Sequence, residues 1–328
     1  MTIIQSLATD CVNQLRLSMI LLVLFVWLLF PVAVMSSDTG LVCAIDMGST
    51  NFKLMLGEMK GGEYVQHDYM KDRLAVGNDM AKTGAISSPK LTEIRRILEK
   101  YLAVCDAKGI MTRTAVATAA FREATNRRVV EDISKSLNLP LEIASEKRES
   151  ELAYMVATLG KPNFAVIDNG SRSIELVTYA AESYQWRVFN LGYAVAFEQF
   201  FRPAKTFVEA NEKYRQALAP HFEAASFMKK REGYVGVEME HVVRNLLSLE
   251  RADGVSISQD TVSRKVAALR AMSETEFRQL KKVKNIEAIL PRIVVLDQSL
   301  STFGYREMRV FERELGVGLI VEKGVELK

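Results

Sequence analysis

The sequence predicts an α/β protein of two similar lobes that share an interlobe cleft, preceded by one N-terminal transmembrane helix. Two lobes are predicted because an apolar strand that ends in aspartate, a Gly-Ser turn and a hairpin occur twice, roughly 120 residues apart, which is typical of a duplicated fold. A long uncharged apolar run before the first strand predicts the helix. The predicted parts are a membrane anchor and linker at 1–40, a first lobe at 41–158, and a second lobe with a helical C-terminal part at 159–328.

The N-terminal apolar run extends from Leu17 to Met35 without a charged residue, and a helix of this length can cross the ~30 Å hydrocarbon core of a bilayer. A poor cleavage site at 32–37 favours an uncleaved anchor over a secretory signal. Arg16 before the run and Lys53, the next base after it, favour a cytoplasmic N-terminus and a globular part outside the cytoplasm. The alternative is a later translation start, at Met19, Met35 or Met47.

The first lobe opens with a buried-strand pattern at Leu41–Asp46 that ends in a carboxylate and a turn. Extended character continues at Lys53–Glu58, and Lys60-Gly61-Gly62 is typical of a hairpin. A helix begins at Ser88-Pro89, because serine can cap it and proline fits its first turn, and Gly109 ends it. The remaining elements are a strand at Thr114–Thr118, a helix at Arg127–Leu137, a strand at Leu141–Ala144 and a helix at Arg148–Thr158.

The second lobe repeats the strand, turn and hairpin. These elements are a strand at Phe164–Asp168, the turn Gly170-Ser171-Arg172-Ser173, and strands at Ile174–Tyr179 and Trp186–Leu191. From about Val208 onward the pattern is mostly helical. We interpret Trp186 and the phenylalanines from Phe197 to Phe207 as core residues rather than as a stacking platform, because aromatic side chains are usually buried.

The amino-acid composition is that of an ordinary folded protein and does not indicate a nucleic-acid-binding protein. Hydrophobic residues make up 48% of the chain and charged residues 25%, as in an ordinary folded protein. The net charge of only +3 does not indicate the basic face of a nucleic-acid-binding protein. The three cysteines and three histidines show no metal-ligand spacing. We interpret Cys43 and Cys105 as small buried core residues, and the sequence predicts no disulfide framework.

Both turns carry residue types that suit a phosphate chain. A carboxylate at a strand end can bind a divalent cation or its water, glycine permits close approach of a polyphosphate, and hydroxyl groups donate to phosphate oxygens. The carboxylates are Asp46 and Asp168, the glycines are Gly48 and Gly170, and the hydroxyls are those of Ser49, Thr50 and Ser173. Asp46 alone has the alternative role of a turn former, so the prediction of an anion site depends on the pair.

Five ordered segments resemble the exopolyphosphatase and guanosine pentaphosphate phosphohydrolase family. They are Ala44–Leu54, Leu74–Gly77, Ala115–Asn126, Ser145–Tyr154 and Asp168–Leu176. The resemblance covers most of Leu41–Phe200 and weakens afterwards. It implies ribonuclease H-like lobes of the actin, sugar kinase and Hsp70 type, and removal of the terminal phosphate from a polyphosphate or a nucleotide polyphosphate.

The resemblance also implies roles by position. Arg122 would bind phosphate through its guanidinium, and Glu149 would be the base that activates the attacking water. Mg²⁺, or Mn²⁺, would be held by Asp46, Asp168 and Glu175. The phosphate-binding residues would be Gly48, Ser49, Thr50 and Asn51 in the first turn and Gly170, Ser171, Arg172 and Ser173 in the second. By composition alone, Glu149 is part of a solvated helix start; for Arg122 the alternative is a surface charge on a helix.

The second half departs from the family pattern at three places. Gly170-Ser171-Arg172 replaces three glycines, and the new side chains either fill space that phosphate needs or, at Arg172, direct a positive charge toward it. Glu238-Met239-Glu240 replaces two glycines and a threonine, and its carboxylates would repel a polyanion unless a cation intervenes. Gly316–Gly324 lacks the expected Arg-Glu-Gly ending.

We therefore expect a metal-assisted phosphoanhydride hydrolase that acts on polyphosphate or a nucleotide polyphosphate. Family likeness also suggests a homodimer. The altered loops motivate an alternative, a catalytically impaired phosphate- or nucleotide-binding regulatory protein of the same fold. A sugar or acetate kinase would share the fold, but the glycines expected to bind its nucleoside are missing from the second lobe. The fold alone does not decide between these functions.

Overall fold

This computed structural model describes residues 40–237, 239, 242–246, 254–311 and 313–326. They form two α/β lobes, each built on one sheet. The expected transmembrane run at residues 17–35 lies outside the described residues, and both the run and its orientation stay predictions. Among the helices that are described, none combines the length and the apolar character needed to cross a bilayer.

The first sheet has the predicted hairpin and a fully buried central strand. Its strands are β1 (Val42–Met47), β2 (Asn51–Lys60), β3 (Glu63–Arg73), β4 (Thr112–Ala117) and β5 (Leu141–Ile143). Their order is β3-β2-β1-β4-β5. β1 is antiparallel to β2 and parallel to β4, and all six of its residues are buried. Gly61 and Gly62, both with positive φ, form the turn between β2 and β3.

Five helices accompany this sheet. They are α1 (Val76–Thr83), α2 (Ser88–Ala107), α3 (Ala119–Glu123), α4 (Arg127–Ser136) and α5 (Glu146–Thr158). α2 begins at the predicted Ser88-Pro89, although Ser87 is its cap residue. α5 begins two residues before the predicted Arg148, because the Ser145 hydroxyl caps it by accepting the Arg148 N–H. This start places Glu149 in the first turn of α5.

The second sheet repeats the topology of the first. Its strands are β6 (Phe164–Asn169), β7 (Ile174–Ala180), β8 (Ser183–Phe189), β9 (Gly233–Val237), β10 (Val255–Ser258) and β11 (Glu307–Phe311). Their order is β10-β11-β9-β6-β7-β8. Without β10, strand order and directions match the first sheet, with β6 antiparallel to β7 and parallel to β9. The predicted duplication is therefore confirmed.

Helices pack beside the second sheet over a large apolar core. They are α6 (Tyr193–Ala196), α7 (Phe207–Glu223), α8 (Gln259–Arg270), α9 (Glu274–Leu280) and α10 (Ile286–Phe303), with short π-helical segments at Phe197–Phe201 and Val242–Leu246 and a 3₁₀ turn at Ser226–Met228. Phe197, Phe201 and Phe207 are buried, as predicted. The prediction for Trp186 was wrong: this residue is 37% exposed, because it lies on the edge strand β8 and only one face of that strand meets the core.

The last helix, α11 (Gly316–Glu326), returns to the first lobe. Its apolar side chains pack with Val42 of β1 and Leu152 of α5. A Cβ at Gly318 would lie 2.8 Å from the Leu152 carbonyl oxygen, so glycine is needed for this close approach. The Arg148 guanidinium donates to both carboxylate oxygens of Glu322, at 2.8 and 2.6 Å. The range 159–328 predicted for the second lobe thus contains a helix that completes the first.

The prediction of two separate buried thiols was also wrong. Cys43 on β1 and Cys105 on α2 form a disulfide, and both residues are fully buried. The buried face of α2 covers β1 and brings the two Cα atoms within 6.3 Å. The cysteines are 62 residues apart in sequence, so the pairing depends on the tertiary packing.

Candidate active site

The two predicted turns line one cleft, where the central strands β1 and β6 end. A cavity of about 310 Å³ is lined by residues of both turns. A smaller cavity of about 180 Å³ has both Asp46 and Asp168 in its walls and shares Gly48 and Lys53 with the larger one. The predicted site residues that line the larger cavity are Gly48, Ser49, Thr50, Asn51, Glu149, Asp168, Gly170, Ser171, Arg172, Ser173 and Glu175. The fold therefore brings together nearly the whole predicted set, although their roles stay predictions.

The first turn is held by the start of α1. The N–H groups of Leu74 and Ala75 donate to the Thr50 carbonyl at 3.0 and 2.9 Å, and the Gly77 N–H donates to the Ser49 carbonyl at 2.9 Å. N–H groups at a helix start have no partner within the helix, and here the turn supplies one. The segment Leu74–Gly77, which carries one of the five family resemblances, thus holds the first turn in place through backbone hydrogen bonds.

The second turn is held in the same way by the start of α6. Three successive N–H groups donate to three carbonyls of the turn. The pairs are Gly192 with Arg172 at 2.9 Å, Tyr193 with Gly170 at 3.0 Å, and Ala194 with Ser171 at 3.0 Å. A Cβ at Gly192 would lie 2.5 Å from backbone atoms of Gly170, Arg172 and Ser173. Glycine at this position is therefore required for the close packing of the turn.

A cross-strand pair flanks each turn, with its second member seven residues after the aspartate. Asp46 lies opposite Lys53, and Asp168 lies opposite Glu175. The Lys53 ammonium is 3.6 Å from the Asp46 carboxylate, and the Ser173 hydroxyl donates to Glu175 at 2.5 Å. The first lobe thus has a cation at the position where the second lobe has a carboxylate.

Glu149 faces the larger cavity from the first turn of α5. One guanidinium nitrogen of Arg122 donates to Glu149 Oε1 at 2.9 Å and to the Ala144 carbonyl at 2.7 Å. Burial raises the pKa of the Glu149 carboxyl, the neighbouring Arg122 opposes this shift, and the Asp46 carboxylate adds to it. A carboxylate whose pKa is raised by burial in a cleft is a candidate functional group.

Arg172 pairs with an acidic residue of the other lobe, and the acidic loop stays a prediction. Arg172 Nη1 pairs with Glu123 Oε2 at 3.1 Å, which joins the second turn to α3 of the other lobe. Its guanidinium therefore lies at the exposed rim of the cleft, although the residue lines the larger cavity. Glu238 and Glu240 lie outside the described residues. Met239, between them, is fully buried.

Several cleft residues were missed by the sequence analysis. They are Lys53, Thr118, Ala119, Tyr193, Arg313, Glu314 and Leu315. For Lys53 a signal was available, because its spacing from Asp46 equals that of Glu175 from Asp168. No local pattern marks Glu314, which enters the cleft because the segment between β11 and α11 crosses from the second lobe to the first.

The walls of the two cavities carry more negative than positive charge. The acidic residues are Asp46, Glu149, Asp168, Glu175 and Glu314, and the basic residues are Lys53, Arg172 and Arg313. Among the described residues, no three His, Cys, Asp or Glu side chains are grouped closely enough to hold a metal ion by themselves. Mg²⁺ does not need such a group, because it commonly keeps several waters and is held by one or two carboxylates together with substrate phosphates. These residues therefore fit a cation that binds together with phosphate.

The repeated sheets define a two-lobed protein with an actin-like fold, in which the paired turns line one cleft. The chain belongs to the Ppx/GppA phosphatase family, whose sequence pattern matches residues 63–325. Members of this family are phosphohydrolases. No curated protein sequence matches the chain.

Solved structures of the family share the fold. The crystal structure of the Aquifex aeolicus Ppx/GppA family member has a TM-score of 0.76 at 19% identity, over 88% of this chain and 98% of that one. The crystal structure of an exopolyphosphatase from Cytophaga hutchinsonii has a TM-score of 0.65 at 16% identity, over 88% of this chain and 99% of that one. At these identities the likeness extends to the fold.

Proposed function

We propose that this protein is a phosphohydrolase that releases the terminal phosphate of polyphosphate or of a nucleotide polyphosphate, with Glu149 as the general base. The observation that carries the proposal is the position of Glu149, whose partly buried carboxylate faces the cavity between the two turns while Arg122 fixes its orientation. Membership of the Ppx/GppA phosphatase family supports phosphohydrolysis as the class of reaction.

In the proposed reaction, a water molecule in the cleft attacks the terminal phosphorus. The water loses a proton to Glu149, the bond between that phosphorus and the bridging oxygen breaks, and inorganic phosphate leaves the shortened chain. Arg122 binds Oε1 of Glu149, so Oε2 is the oxygen that would accept the proton. The raised pKa of Glu149 makes the carboxylate a stronger base than an exposed glutamate.

A divalent cation is part of the proposal. The cleft walls carry five carboxylates against three basic side chains, so a bare polyanion would be repelled. Asp46, Asp168 and Glu175 would hold Mg²⁺ or Mn²⁺ through its waters. When bound, the ion would neutralise charge on the phosphate oxygens.

The test is phosphate release from polyphosphate by the purified chain in MgCl₂ or MnCl₂. We expect Glu149→Gln to lower kcat by about 100- to 10,000-fold, the usual contribution of a general base. Glu146→Gln is the matched control, because Glu146 is on the same turn of α5 and is exposed. No release by the parent chain across several polyphosphate lengths and nucleotides would refute the proposal, as would equal activity of the two variants.

A second candidate function is binding without turnover, as in a regulatory protein of the same fold. It is favoured by the contacts that already engage three polar groups at the turns: Lys53 with Glu314, Arg172 with Glu123, and Ser173 with Glu175. Calorimetry that shows binding of tripolyphosphate together with no phosphate release would favour this function over hydrolysis.

Anchoring through residues 17–35, with the globular part outside the cytoplasm, is likewise a proposal. The Cys43–Cys105 disulfide supports it, because disulfides persist mainly in oxidising compartments. An external site would lack intracellular nucleotides, which favours polyphosphate as the substrate. A reporter fused after Lys328 and assayed on each side of the membrane tests the orientation, and cross-linking of the purified chain tests the proposed homodimer.

A further inference from the structure

Glu314 holds the one basic side chain that lines both cavities of the cleft in the described structure, Lys53. The Lys53 ammonium donates to Glu314 Oε2, and the Tyr69 hydroxyl donates to Glu314 Oε1 at 3.1 Å. Lys53 is also 3.6 Å from the Asp46 carboxylate. Its positive charge is thus shared between two carboxylates of the same chain.

A phosphate group that binds Lys53 would compete with these carboxylates for the same ammonium charge. Asp46 is fixed, because it belongs to the buried strand β1 and its side chain is only 7% exposed. The Glu314 side chain is 33% exposed and lies in the irregular segment between β11 and α11. Glu314 is therefore the group that can move away from Lys53.

We propose that Glu314 is an internal competitor for the terminal phosphate, a deepening that rests on the proposed function. Its carboxylate takes the place of an anion on Lys53 when the cleft holds no ligand, and it turns toward solvent when phosphate binds. The apparent affinity for phosphate is then the intrinsic affinity multiplied by the fraction of molecules in which Glu314 does not occupy Lys53. A terminal phosphate with two negative charges displaces the carboxylate more readily than a singly charged anion does, so Glu314 also selects for phosphate.

The effect expected from removing the competitor is moderate, because the Lys53–Glu314 pair is partly solvated and such pairs contribute little net free energy. We expect Glu314→Gln to tighten tripolyphosphate binding about three- to tenfold. Glu314→Asp keeps the negative charge but shortens the side chain. It therefore weakens the contact with Lys53 without changing the net charge of the cleft. It should tighten binding as well.

The experiment is calorimetry with sodium tripolyphosphate in MgCl₂, on full-length chains that carry Glu149→Gln to prevent turnover. Glu314→Gln is compared in two backgrounds, with Lys53 intact and with Lys53→Met, and thermal unfolding checks that each variant is folded. The proposal requires the gain in affinity to disappear when Lys53 is absent. An equal gain in both backgrounds would assign the effect to general electrostatics and overturn it.

The outcomes separate this inference from the proposed function. Phosphate release by the parent chain, together with unchanged binding in Glu314→Gln and Glu314→Asp, overturns the internal competitor and leaves the hydrolase intact. Failure of every folded variant to bind tripolyphosphate, together with no phosphate release by the parent chain from polyphosphates or nucleotides, overturns both. Binding by Glu314→Gln where the Glu149→Gln chain alone binds too weakly to measure supports the competitor.

Discussion

Replacing Gly192 with alanine tests how the second turn is held in place. The φ angle of this residue is −60°, which alanine adopts without strain, so on backbone grounds the change would be neutral or stabilising. The added Cβ would instead lie 2.5 Å from three backbone atoms of the turn, where ordinary contact begins at 3.4 Å. The turn must therefore move by roughly 0.9 Å, since backbone atoms cannot rotate away as a side chain can.

Two consequences follow for Gly192→Ala. Overpacking of this kind costs about 1–3 kcal/mol of unfolding free energy, measured by urea denaturation followed by circular dichroism. A displacement near 1 Å at a binding loop can lower kcat/KM about 100-fold, measured by phosphate release. Gly170→Ala is the control for stability, because its Cβ would meet the nearest atom at 3.6 Å. Equal unfolding free energies for the two variants would refute the packing argument.

Two further predictions concern a partly buried carboxylate and a buried disulfide of the first lobe. Because burial raises the pKa of Glu149 above 4.5, its ordinary value, the parent chain should lose stability relative to Glu149→Gln as pH rises through the folded-state pKa, and the difference should level off below the ordinary value. Urea denaturation between pH 4 and 8 measures it, and a difference that widens toward acid would contradict the assignment. Reduction of the Cys43–Cys105 disulfide, or Cys43→Ser, should lower the unfolding free energy by about 2–4 kcal/mol. Alkylation of the unreduced, denatured chain should label one cysteine; labelling of three would show that the bond is absent.

The repeated strand and turn made the fold and most of the site predictable, because the aspartate, the glycine and the hydroxyls occur together in a short segment of sequence. The residues that position this segment are distant in the chain. Gly192 supports the second turn from 20 residues away, and Glu314 reaches Lys53 across 261 residues. Such contacts depend on which lobe a helix joins, and the apolar pattern of a helix does not encode that.

Trp186 and Cys105 show two other features that could not be predicted from the sequence. A strand pattern indicates which side chains alternate but not whether the strand is at an edge, so the exposure of Trp186 could not be derived. A buried apolar helix face predicts that Cys105 is inside, but the pattern does not identify the atom it meets. Lys53 is different, because the equal spacing of the two cross-strand pairs was present in the sequence.

The return of α11 to the first lobe has a consequence for biosynthesis. The first lobe lacks one wall of its core until residues near Gly316 have left the ribosome, some 158 residues after α5 ends. At ~5–20 residues per second this is a delay of roughly 8–30 s. During that time the apolar surface around Val42 and Leu152 lacks the helix that covers it in the described structure, so we expect the nascent first lobe to expose this surface.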